Sequence, residues 1–165
     1  MSKHQSQVHA SRRGFQYTLE NGYRLSVMFD YGNYCDNRSW DYSPDHISDH
    51  IDEQISCENF EVAVFTPDDK FITLIDKPAD EDGISRVEQV IGWVPAQILP
   101  NLIQRIEYFP DPQWKATYAT FQEELKHHAL AFGKACEDAR DSIKPGMCAE
   151  KWDEMDEIAS GLDLG

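Results

Sequence analysis

His46 and His50 are the residues whose type and spacing come nearest to chemistry. They lie in Asp45-His46-Ile47-Ser48-Asp49-His50-Ile51-Asp52-Glu53. On a helix, positions four apart share one face, so the two imidazoles could hold one metal ion. Asp49 or Glu53 could supply an oxygen ligand, and the product would be a metal-dependent hydrolase or nuclease. The zincin pattern His-Glu-x-x-His needs a glutamate directly after its first histidine as general base. Ile47 stands there, which argues against that protease class. The plain alternative is the solvated face of a helix held by Ile47, Ile51 and Ile55, with no metal and no cofactor.

Other nucleophiles and bases are scattered. His127 and His128 are adjacent in a long apolar-striped segment, where a packed histidine with one hydrogen-bond partner is the ordinary outcome. The four cysteines (35, 57, 136 and 148) show no Cys-x-x-Cys spacing and read as free thiols of a reducing compartment. Cys35, beside Tyr34 and Asp36, is the best placed nucleophile, yet no histidine is paired with it in the sequence. Spacing alone leaves open whether Cys35 and Cys57 meet. The chain has no phosphate-binding glycine loop, no Gly-x-Ser-x-Gly elbow and no dinucleotide fingerprint.

Charge says more. Thirty acidic against 15 basic residues give a net charge of −15. That argues against direct nucleic-acid binding, which needs a basic footprint, and against anionic membranes. No apolar run reaches the ~20 residues of a membrane span. The first residues carry no signal-peptide core, so a cytoplasmic protein is expected. The acids concentrate in residues 36–82 and 150–163. If Asp45, Asp49, Asp52, Glu53, Asp80, Glu81, Asp82, Asp153, Glu154, Asp156 and Glu157 share one face, they present a carboxylate field resembling a phosphate backbone. Such a face would bind a basic groove on a DNA- or RNA-handling host protein.

The elements that must position these residues follow from periodicity. Phe15, Tyr17 and Leu19, then Tyr23, Leu25, Val27 and Phe29, alternate with mostly polar residues around Asn21-Gly22. A two-residue loop would split the large side chains between two faces. A three-residue loop pairs Leu19 with Tyr23, Tyr17 with Leu25 and Phe15 with Val27, and keeps them on one face. That register requires a type I turn with Gly22 in the left-handed region. A second hairpin is expected from Phe60–Val64 through Thr66-Pro67-Asp68-Asp69-Lys70 to Phe71–Ile75, then an acidic loop over 76–83 and a strand over 87–94.

Helices are expected over 44–55, 95–107, 112–143 and 148–160. Pro100 implies a kink or late start in the second. The stripe Trp114, Tyr118, Phe121, Leu125, His128, Phe132, Ala135, Ala139 and Ile143 makes the third a packing helix, or one that pairs two copies into a homodimer. The fold class is α+β: a small antiparallel sheet of two hairpins and one strand, packed by a helix, with a long-helix extension. Residues 1–13 are expected to be a flexible basic tail. Residues 14–109 form the sheet domain with a helical insert near 43–56, and 110–165 are a helical extension.

Asn21-Gly22-Tyr23-x-Leu25-Ser26-Val27, Gly32-Asn33-Tyr34-Cys35 and Asn37-Arg38 together resemble a group of small tailed-phage proteins. So do Glu61-Val62-Ala63-Val64 and Val90-Ile91-Gly92-Trp93-Val94 with the helix that follows. The resemblance covers about 15–38 and 59–106. It implies a phage or prophage accessory protein acting in the bacterial cytoplasm, and it carries no catalytic residue over. The segments 43–55 and beyond 110 are additions to the short pattern. Together with the acidity and the lack of a catalytic constellation, it leads to a non-enzymatic protein that binds a host protein, with anti-defence action as its most concrete form.

Overall fold

The computed structural model of the chain describes residues 5–11, 13–38, 57–112 and 118–143. The expected helices over 44–55 and 148–160 lie outside the described residues. The strands are β1 (Gln7–Ser11), β2 (Gly14–Thr18), β3 (Arg24–Met28), β4 (Asn59–Phe65), β5 (Ile75–Lys77), β6 (Arg86–Glu88) and β7 (Val90–Pro95). Five of them form an antiparallel sheet in the order β1-β2-β3-β4-β7, and β5 and β6 form a separate ribbon. A 3-10 turn, Ala96–Ile98, leads into α1 (Leu99–Glu107), and α2 spans Tyr118–Ile143. The α+β class is therefore the observed one.

The founding hairpin adopts the expected register. Phe15 pairs with Val27 and Tyr17 with Leu25. The Leu19 N–H donates to the Tyr23 carbonyl and the Gly22 N–H to the Leu19 carbonyl, both at 2.9 Å. Gly22 has φ 86, the left-handed conformation that closes this turn without a Cβ penalty. The same register continues into β4, where Leu25 faces Val64 and Val27 faces Val62. These side chains build the core face with Ile91, Leu102, Ile106 and Phe132, all at most 1% exposed. Each such side chain contributes about 1.5–3 kcal/mol on burial, which keeps two largely polar helices docked.

The turn is also pinned to the helices. Asn21 Nδ2 donates to the Ile106 carbonyl at 2.8 Å, and Tyr23 Oη donates to the Pro110 carbonyl at 2.8 Å. The Tyr23 ring meets Phe109 edge-on at 5.3 Å. Pro100 falls in the first turn of α1, where a missing N–H costs nothing, so the helix starts late and does not kink.

Four expectations need correction. Residues 7–11 are no flexible tail: they pair with β2 along its whole length as an edge strand. All five are exposed, so backbone pairing, with little apolar burial, makes this strand. The second hairpin closes its turn, with the Thr66 N–H donating to the Lys70 carbonyl at 2.8 Å. Its return arm, however, adds only the single bridge Phe65–Phe71 to the main sheet. The strand expected over 87–94 is broken at Gln89. Its first part pairs with β5, and its second takes the place beside β4 that the hairpin arm was expected to fill.

The fourth correction concerns α2. Its buried line runs through Leu125, Ala129, Phe132 and Cys136, with His128 half-buried on the flank. This line, running through Ala129 and Cys136 where the stripe had His128 and Ala135, packs on the chain's own sheet and α1. Gly133 permits the approach: a Cβ there would lie 1.9 Å from the Leu74 carbonyl oxygen. Further along, the buried Glu137 carboxylate meets Lys77 at 3.0 Å, Arg86 at 3.1 Å and Arg140 at 3.7 Å, clamping the ribbon to the helix.

Candidate functional site

Two places combine unusual geometry with reactive or exposed groups. The first is the loop after β3. Along β4, Phe60 and Val62 point to the core, so Glu61 leaves by the opposite face. Its carboxylate accepts from Asn33 Nδ2 at 2.9 Å and from the Tyr34 N–H at 3.0 Å. One strand end earlier, Asn59 and Asp36 clasp each other. The Asp36 N–H donates to Asn59 Oδ1 at 2.9 Å, and Asn59 Nδ2 donates to Asp36 Oδ2 at 2.5 Å. Asn37 Nδ2 donates to the Phe29 carbonyl at 2.8 Å, tying the loop to the end of β3.

β7 is shaped to receive this loop. Pairing with β4 shifts between Phe60 and Val62, so one extra residue is accommodated at Gly92-Trp93. Trp93 has φ 52, a left-handed conformation that an indole residue adopts only when the surroundings hold it there. Here its N–H donates to the Tyr34 carbonyl at 2.7 Å, and its ring meets Tyr34 edge-on at 5.5 Å. The Arg38 guanidinium sits 4.0 Å from the centre of the Tyr34 ring on top.

The clasp places two thiols together. Cys35 is fully buried, and its Sγ lies 3.5 Å from the Asp30 carbonyl. Cys57, half-buried at the start of β4, has its Sγ 4.0 Å from Asn59 Oδ1. The two thiols are neighbours across the clasp, since Cys57 Sγ approaches the same Asn59 Oδ1 that accepts the Asp36 N–H, and the backbone N–H groups of Asn59, Asp36 and Asn37 lie close to Cys57. The Cys35 side chain, followed by those amides, lowers the Cys57 pKa to about 6 against the opposing effect of burial. Cys35 is pushed up well beyond an ordinary thiol, first by the Cys57 side chain and then by burial. Cys136, buried in α2, is raised by desolvation.

The second place is an open groove of about 1040 Å³ between the 66–73 turn and the first half of α2. Phe71, Val87, Phe121 and Leu125 are among its lining residues. Phe71 is 48% and Val87 61% exposed. The charged residues of the lining are balanced, with Asp68 paired to Lys70 and Asp76 to Lys126. The β5–β6 ribbon carries Asp80, Glu81 and Asp82 in its exposed connecting loop. Asp80 shapes that loop: its Oδ1 accepts from the N–H groups of Asp82 and Ile84, both at 3.0 Å.

Cations among the described residues are largely paired, Lys70 and Lys126 with the groove's own Asp68 and Asp76. Arg13, Arg24, Lys70, Lys77, Arg86, Lys126, Lys134 and Arg140 each lie in an ion pair with a carboxylate of this chain.

No protein-family model matches the chain, and no curated protein or solved structure matches it.

Of the acids expected to face a partner, Asp80, Glu81 and Asp82 are described and exposed. Asp45, Asp49, Asp52, Glu53, Asp153, Glu154, Asp156 and Glu157 lie outside the described residues, as do the metal candidates His46, His50 and Glu53. Among the described residues no group of three or more histidine, cysteine or acidic side chains is arranged to hold a metal ion. Also among them, no helix is long and apolar enough to cross a membrane. Sequence reasoning left open whether Cys35 and Cys57 meet, and it missed the meeting of Tyr34 with Gly92. The signals were present as Gly32-Asn33-Tyr34-Cys35, Glu61 and Gly92-Trp93, noted as a pattern but not as mutual neighbours.

Proposed function

We propose that this protein is a non-enzymatic binding protein whose acidic surface occupies a basic surface of another protein. The observation that carries the reading is the groove with Phe71 and Val87 exposed, on a chain with 30 acidic against 15 basic residues. An apolar centre with a charged surround is how protein interfaces are built, the centre giving affinity and the rim giving steering and register. Lys70 and Lys126 match the acids of the groove's lining, so the acidic field comes from the rest of the chain, with Asp80, Glu81 and Asp82 exposed in the loop of the adjoining ribbon. Read with the resemblance to small tailed-phage proteins, the chain is an accessory phage protein of the bacterial cytoplasm. Its partner is then a host nucleic-acid-handling or defence protein, and its carboxylates stand in for backbone phosphates.

A tagged copy expressed in a bacterial host tests this. The expected result is one nucleic-acid-handling or defence protein that co-purifies and is released by salt. Glu81→Lys with Asp82→Lys should slow its association, and Val87→Asp should weaken the complex. Asp80 is left intact because it shapes the loop. A partner that binds both variants as tightly as the parent protein would remove this surface from the reading.

A further inference from the structure

Cys35 and Cys57 are 22 positions apart in the chain, yet the Asp36–Asn59 clasp makes them neighbours: Cys57 Sγ lies 4.0 Å from the same Asn59 Oδ1 that accepts the Asp36 N–H. They are unequal partners. Cys57 is half-buried at the loop's edge, where nearby backbone N–H groups favour a thiolate. Cys35 is fully buried, and its thiol donates to the Asp30 carbonyl at 3.5 Å. Asp36, the nearest carboxylate, is held against Asn59. An accessible stabilised thiolate backed by a sheltered thiol is the arrangement of an attacking and a resolving cysteine.

We propose that Cys35 and Cys57 form a reversible dithiol–disulfide site that reacts with low-molecular-weight disulfides. In the first step the Cys57 thiolate attacks one sulfur of the small disulfide. A Cys57–S–S–R bond forms, and the other half leaves as the thiolate RS⁻. The negative charge at Cys57 is then gone. In the second step Cys35 attacks Cys57 Sγ and its proton passes to the leaving thiolate. The protein is oxidised by two electrons, and one small disulfide becomes one thiol and one thiolate. The new bond fastens the two ends of the 36–56 segment to each other and locks the loop to the start of β4.

The test uses the full chain, reduced and then equilibrated with oxidised glutathione. Intact mass should fall by two hydrogens, and peptide mapping should find Cys35 linked to Cys57. Cys35→Ser should instead accumulate one glutathionyl group at Cys57. Cys57→Ser should leave Cys35 unreacted. The proposal is overturned if the parent protein collects glutathionyl groups without the Cys35–Cys57 link. It is also overturned if the link joins Cys136 or Cys148, or if Cys35 reacts as fast without Cys57 as with it. Circular dichroism of both serine variants reports folding, and if either fails to fold, mapping of the parent protein still decides.

Discussion

Tyr34 and Gly92 lie so close that a Cβ added to Gly92 would come within 2.2 Å of the Tyr34 Cβ and 2.8 Å of its carbonyl oxygen. The contact seats the loop after β3 on the face of the sheet opposite the core. It brings together the Trp93 bulge, the Glu61 carboxylate and the thiol pair. The strongest predictions concern what holds this arrangement in place.

Gly92→Ala should destabilise the protein by about 1–3 kcal/mol, the range for forcing a methyl group into a packed site. In an ordinary strand the same change would be favourable by roughly 0.5–1 kcal/mol, because glycine loses more entropy on folding. The sign of the change in denaturation midpoint therefore separates the two. Faster amide exchange at Trp93, whose N–H donates to Tyr34, should accompany it.

Glu61→Gln keeps the shape of the side chain but offers one acceptor oxygen where two are used. An NH₂ group would then face either Asn33 or the Tyr34 amide. The expected cost is about 1–3 kcal/mol, that of an unmatched polar group in a partly buried site. Amide exchange at Tyr34 should speed up more than at residues of β2. Equal protection in both proteins would show that Glu61 does not hold the loop.

Gly133→Ala tests helix propensity against packing. In an exposed helix alanine would gain about 1 kcal/mol. Here the new methyl would meet the Leu74 carbonyl oxygen at 1.9 Å, so α2 must lift from the chain it covers. Net destabilisation by about 1–3 kcal/mol, or more, is expected in chemical denaturation, together with increased exposure of Phe132.

Alkylation of Cys57 by iodoacetamide should rise with a midpoint near pH 6, because the folded thiol is lowered to about 6. Cys35→Ser removes the thiol that is the largest cause, and the midpoint should move up. The linkage has a definite sign. Between about 6 and the ordinary thiol value of 9.0, the unfolded chain holds the Cys57 proton and the folded chain does not. Stability relative to Cys57→Ser should therefore grow as pH rises through that window, and be lost as pH falls through 6. Above the ordinary value the raised Cys35 works in the opposite direction. A flat difference between pH 6 and 8 would contradict the thiolate assignment.

Local patterns were legible where neighbours in sequence are neighbours in space. The alternation around Asn21-Gly22 was enough to choose the register, because a one-residue slip moves every large side chain to the wrong face. The position of Pro100 set the late start of α1 by the same local logic. The sequence also determined the acidity, and thereby the classes of partner it disfavours. Where apolar content was low or a run was short, the reading failed. β1 has almost no buried side chain to announce it and exists because β2 offers an unpaired edge. The run 87–94 looks continuous because every residue in it suits a strand, and only competition between β5 and β4 for partners breaks it at Gln89.

The tertiary structure alone decided which separated residues meet. Cys35 and Cys57, Asn33 and Glu61, and Tyr34 and Gly92 belong to segments whose mutual distance no periodicity encodes. Each pair follows from how β4 and β7 lie side by side and from a bulge at Gly92-Trp93 that opens room for one loop. Likewise, the α2 stripe announced only that the helix must be covered. That its own sheet covers it, leaving the groove at Phe71 and Val87 exposed, follows from Gly133 letting the helix approach the Leu74 backbone.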